Sequence, residues 1–98
     1  MIKVIVGYKV RKGEDIQPIL LKLRSHAMQY PGFMSAENLC SEEDNSIVAV
    51  INTWERVEDW KTWEKSTIRQ ELLREAEALL EEKPKITIYR LMPTVRWV

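Results

Sequence analysis

Apolar residues occupy every even position from Ile2 to Val10, and this period of two predicts a strand. Ile5 and Gly7 leave its other face partly apolar as well. Lys12-Gly13 turns the chain, and Asp15 is placed as the N-cap of a helix starting at Ile16. Pro18 falls in the first helical turn, where a missing N–H costs little. Ile16, Ile19, Leu20, Leu23, Ala27 and Tyr30 then recur at helical spacing and make one apolar stripe. Tyr30-Pro31-Gly32 stops this helix, because a residue before proline disfavours the α region.

Phe33 to Cys40 predicts a mixed second strand, Ser41 to Ser46 a polar hairpin loop, and Ile47 to Trp54 a very apolar third strand. Helical spacing resumes at Val57, Trp60 and Trp63. It breaks at Ser66-Thr67 and restarts there, where Thr67 and Gln70 match a capping box. Ile68, Leu72, Leu73, Ala76, Leu79 and Leu80 give this segment its buried face. Pro84 ends it, Lys85 to Met92 predicts a fourth strand, and Pro93 to Val98 is a tail. The order β-α-β-β-α-β is an α+β, ferredoxin-like arrangement with an antiparallel sheet. In that topology the first and third strands are central, and here they are the two that are apolar on both faces. The second and fourth carry Glu37, Asn38, Lys85, Thr87 and Arg90. Helices cover only one side of such a sheet, so apolar residues on the other side predict a homodimer packed sheet on sheet.

Composition narrows the function classes. A chain of 98 residues that is 45% hydrophobic is expected to be a single packed domain. Fifteen basic and fifteen acidic residues cancel, and no Lys/Arg-rich run exists, which argues against nucleic acid and anionic membranes as partners. The longest unbroken apolar run, Ile47 to Ile51, is too short to span a bilayer. The first residues alternate as a strand does, unlike a signal peptide. Cys40 is the only cysteine, so a reduced, cytoplasmic setting is expected. No His/Cys cluster has metal-ligand spacing, and no metal site is expected.

Three of the four tryptophans, Trp54, Trp60 and Trp63, gather at the end of the third strand and on the helix after it. Such a cluster either fills a core or lines a pocket for a flat ligand. Trp60 reads as core. Trp63 is the candidate ligand-facing residue, partly exposed if it lines a pocket and fully buried if it only fills the core. Asn52 shares a central-strand face with Val48, Val50 and Trp54. A buried amide left unpaired costs roughly 1–3 kcal/mol, so Asn52 either meets backbone groups or faces a polar pocket. His26, the one histidine, qualifies as a general base, with a structural, half-exposed histidine as the alternative. Arg69 near a helix start opposes the helix dipole, and its planar fork suits an anionic oxygen. Tyr8 and Tyr89 are candidate donors to a substrate oxygen, though both also suit strand packing.

The Pro31-Gly32-Phe33 turn, Trp54 closing the third strand, and the run Trp60-x-x-Trp63-x-x-Ser66-x-x-Arg69 resemble the antibiotic biosynthesis monooxygenase family of small dimeric α/β barrels. The likeness extends from Val4 to Leu91. That family includes cofactor-free oxygenases of polycyclic aromatics, quinol oxidases and heme-degrading enzymes. The resemblance implies a pocket between helices and sheet, and a small monooxygenase of an aromatic or quinol-type molecule that needs no cofactor. In that reading Trp63 stacks the ring and Tyr8 or Tyr89 contacts it. His26 manages a proton, and Asn52 or Arg69 steadies an oxyanion. Heme is not expected: the degraders' axial histidine is replaced by Leu73, and their first-strand asparagine by Val6 or Gly7. A non-catalytic ligand-binding or regulatory module of the same fold is the alternative.

Overall fold

A computed structural model describes residues 1–93. The elements are β1 (Ile2–Lys9), α1 (Gln17–Ala27), β2 (Phe33–Cys40), β3 (Ile47–Trp54), α2 (Val57–Glu64), α3 (Thr67–Glu77) and β4 (Lys85–Arg90). All pairings are antiparallel, in the order β2-β3-β1-β4. The two strands that are apolar on both faces are therefore the central ones, as the hydrophobic pattern requires. The expected fourth strand stops at Arg90, and the tail from residue 94 lies outside the described residues. No described helix is long and apolar enough to cross a membrane.

Both predicted caps shift by one residue. Ile16 holds the N-cap position of α1 and is itself buried; the Asp15 carboxylate reaches past it to accept the Gln17 N–H at 2.9 Å. At the later helix, Ser66 rather than Thr67 is the cap. Its extended backbone lets Oγ accept from the Arg69 N–H at 3.3 Å. The third helical position is then Arg69, which has no acceptor to return a bond, so no capping box forms. The Ser66 N–H instead donates to the Trp63 carbonyl at 3.0 Å, closing α2. The single interrupted helix of the sequence pattern is thus two helices, α2 and α3, meeting at Ser66.

The core lies between the helices and the even-numbered face of β1, where Ile2, Val4, Val6 and Tyr8 are buried. Val50 and Trp54 continue it on β3, Leu20 and Ala27 on α1, and Trp60, Trp63, Leu72 and Ala76 on α2 and α3. Trp54 meets Phe33 and Trp60 edge-on at 5.3 and 6.3 Å, the geometry that aromatic quadrupoles favour. Gly32 adopts φ +87°, and a Cβ there would collide with the Asp59 carboxylate. The Gly32 carbonyl accepts the Glu55 N–H at 2.8 Å, so the Pro31-Gly32-Phe33 turn is locked to the start of α2. On the opposite sheet face Ile5, Leu39, Ile47, Ala49, Ile51 and Tyr89 are all half-buried or exposed.

Candidate functional site

Tyr8 on β1 and Asn52 on β3 point to the helix side of the sheet. Tyr8 pairs with Val48 and Asn52 with Val4, so they sit two pleats apart, roughly 13 Å along the strands. Both line a cleft of about 30 Å³ whose roof is Leu20, Leu23 and Arg24 of α1, Trp60 and Trp63 of α2, and Arg69 of α3. The break at Ser66 matters for this arrangement. On one continuous helix, residues six apart project about 120° from each other, so Trp63 and Arg69 would not share a face. Two helices meeting at Ser66 bring both to the same cleft.

Arg69 is only 6% exposed. Its guanidinium stacks over the Trp60 ring at 5.0 Å, and Nη1 donates to the Glu64 carbonyl at 3.4 Å. No carboxylate pairs with it among the described residues. Burial pulls its pKa down, an effect opposed by Tyr8 and Glu64, yet a guanidinium stays charged in any accessible range. A buried charge is costly unless other groups offset its lost hydration, and here only the indole face and the Glu64 carbonyl do so. Beside it, burial pushes the Tyr8 phenol up to about 12, against the pull of the Arg69 charge. Tyr8 is therefore a neutral O–H donor at physiological pH. Neither its hydroxyl nor the Asn52 amide has a hydrogen-bond partner among the described residues, although Asn52 is only 8% exposed.

Trp63 joins two readings that the sequence set against each other. It lines the cleft, and it is 97% buried, with its ring edge-on to Tyr30 at 5.1 Å. The expected partial exposure is absent, and its ring packs on Tyr30, three residues past the end of α1. Two candidates stand elsewhere. Tyr89 pairs with Lys3, an odd position, so it faces the opposite side of the sheet and is 55% exposed. His26 is half-buried on α1 and does not line the cleft, although its neighbours Leu23, Arg24 and Ala27 do. Two polar residues outside the candidate set, Arg24 and Asn38, are part of the cleft wall.

A second, larger chamber of about 180 Å³ adjoins this cleft at the start of α1, and Leu20 and Asn38 line both. Its apolar side chains are Val10, Ile16, Leu20 and Val48; Glu14, Asp15, Gln17, Asn38 and Asn45 are its polar lining, and Cys40 stands in its wall.

The sequence profile of the antibiotic biosynthesis monooxygenases matches residues 1–75, which include every cleft residue named above. The chain belongs to that family. Among solved structures, SnoaB, a cofactor-independent oxygenase from Streptomyces nogalater, superposes with a TM-score of 0.83 at 10% identity, covering 96% of this chain and 95% of its own. A conserved protein from Methanosarcina mazei Go1 does so with 0.82 at 18% identity, over 91% and 90% of the two chains. A protein from Mycobacterium tuberculosis gives 0.83 at 11% identity, over 97% and 98%. At these identities the likeness is one of fold. No curated protein sequence matches the chain. The family assignment brings the fold; the chemistry of this member resides in its own side chains.

Proposed function

We propose that this antibiotic biosynthesis monooxygenase family member oxygenates an aromatic or quinol-type small molecule in the cleft between helices and sheet, using no metal or flavin. The observation that carries the reading is Arg69: a buried cation with no carboxylate partner, beside the unpartnered Tyr8 hydroxyl, with the unpartnered Asn52 amide farther along the same cleft. Such a set stabilises negative charge on a substrate oxygen far better than water does at the same place. A phenol or hydroquinone bound there ionises more readily. Its anion is electron-rich enough to reduce dioxygen directly, so the protein's tasks are to bind, orient and exclude water. For a ring CH₂ oxidised to a carbonyl, one oxygen atom enters the ring carbon and the other leaves as water, which balances dioxygen's four electrons. Trp63 supplies the flat wall, and Tyr8 donates to the oxygen that Arg69 holds.

The cleft contains no residue suited to take a proton at neutral pH. Tyr8 is already protonated, and His26 lies outside the cleft. The proton therefore leaves to water, and the pH dependence of turnover follows the substrate's own ionisation. The same observation favours a second reading, in which the cleft binds an oxygenated aromatic without transforming it. Oxygen uptake with a panel of hydroquinones and anthrone-like phenols separates the two. Uptake that Arg69→Met abolishes and Asn52→Ala weakens supports the oxygenase. Saturable binding without uptake by any compound leaves a binding module. The reading also includes a homodimer, with Ile5, Ile47 and Ile51 of the outer sheet face buried against a second copy. A stable monomer at micromolar concentration in size exclusion with light scattering would remove that part.

A further inference from the structure

The chamber at the start of α1 plays no part in the chemistry above, yet it is the larger of the two. The cleft at Arg69 offers about 30 Å³, room for a water-sized group. An apolar cavity that holds benzene measures about 150 Å³. A ring enters the cleft only if α1 moves outward or the Trp63 indole turns, and that opening has a free-energy cost. The adjoining chamber, at about 180 Å³, is open before any ligand arrives. Its apolar residues Val10, Ile16, Leu20 and Val48 offer burial but no charge, and the two carboxylates in its lining are matched by no cation there. Val10, Val48 and Tyr8 lie at one end of the central strands and Asn52 toward the other, so chamber and cleft follow each other along the sheet.

We infer that the chamber is a subsite for an apolar arm carried by the substrate. The ligand is then an oxygenated aromatic ring with a short hydrocarbon substituent that ends without negative charge. The ring's oxygen lies against Arg69 and the arm passes between Leu20 and Asn38. Burial of the arm in a ready-made chamber offsets the cost of opening the cleft, so contacts remote from the reacting atom are spent at the reacting end. This inference rests on the reading of the cleft as the ring site.

The test compares a naphthol with the same naphthol bearing a butyl arm, by calorimetry on the full chain. Each buried methylene is worth about a factor of four in affinity, so the arm should tighten binding by at least about tenfold. An arm ending in a carboxylate should lose that gain beside Glu14 and Asp15. Cys40, the one cysteine, is exposed in the chamber wall and reports directly. The armed naphthol should slow its alkylation by N-ethylmaleimide, and the parent naphthol should not. Once Cys40 is alkylated, or replaced in Cys40→Phe, the two affinities should become equal. Equal affinities in the untreated protein, or a gain that survives the block, would overturn the inference while leaving the ring site standing. Failure of both naphthols to bind would remove the ring site and the inference together.

Discussion

Replacing Arg69 by methionine should make the ligand-free protein more stable and the liganded one less so. The side chain is 94% out of water, and the effective cost of desolvating an ion is several kcal/mol. What compensates it is small. Stacking over Trp60 at 5.0 Å contributes about 1–2 kcal/mol, and a bond to the Glu64 carbonyl at 3.4 Å is near the limit of useful length. The charge also opposes the α3 dipole, a further penalty of about 0.3–1 kcal/mol. Methionine keeps the unbranched shape and a sulfur contact to the indole, worth about 0.3–1.5 kcal/mol, and brings no charge. The backbone N–H bonded to Ser66 is untouched. The balance favours Arg69→Met by about 1–3 kcal/mol, and in a domain of this size each kcal/mol raises the melting temperature by about 4–8 °C. Binding of a phenolate should weaken by about 10- to 150-fold, the value of a charge-assisted hydrogen bond. Calorimetric melts of both proteins, with and without a naphthol at a pH above its pKa, read all of this. A lower melting temperature for Arg69→Met with unchanged naphthol binding would show that Arg69 is structural.

Trp63→Ala should cost about 3–5 kcal/mol in denaturant unfolding, because its indole is buried against Tyr30, and should also weaken aromatic binding. Loss of binding without loss of stability would contradict the observed burial. Tyr8 gives a pH signature. Its phenol ionises near 10 when unfolded and near 12 when folded, so above pH 10 the unfolded chain binds fewer protons than the folded one and stability falls. The loss between pH 10 and 12 should reach up to about 2.7 kcal/mol, and Tyr8→Phe should flatten that part of the curve. Gly32→Ala combines a positive φ with a collision against Asp59, and should destabilise by more than about 1 kcal/mol in urea unfolding. A neutral result would mean that the turn and α2 move apart freely.

The strands and their order were legible because a period of two is a local property, and Ile2 to Val10 and Ile47 to Trp54 show it on both faces. The break at Ser66 was legible for the same reason. Cap positions were off by one because residue type alone does not say which of two neighbours, Asp15 or Ile16, Ser66 or Thr67, stands at the helix boundary. Asn52 and Tyr8 could be assigned a face by parity, and Arg69 stood out through its misfit with the helix dipole. Tyr89 fails the parity test that Tyr8 passes: through the register Lys3 with Tyr89 it belongs to the other face. That register is a long-range pairing, which periodicity within one strand does not reveal. The chamber at α1 escaped for a similar reason. It is made where Ile16 and Gln17 meet Cys40 and Val48, and nothing in either segment alone names the other.

The interruption at Ser66 has a consequence for how this site is inherited. α2 has eight residues and α3 eleven, each too short to persist in water by itself, so each is held by its own contacts with the core. Trp63 belongs to the first and Arg69 to the second. A substitution confined to Trp63 leaves in place the Trp60 ring and Glu64 carbonyl that hold the guanidinium, and a substitution that removes the charge need not disturb the wall. Had one helix carried both, any change in its tilt would have moved the two together. On the function proposed above, the joint would let the ring wall and the charge change separately, one ring system being exchanged for another while the charge stays, or the charge lost while the wall remains.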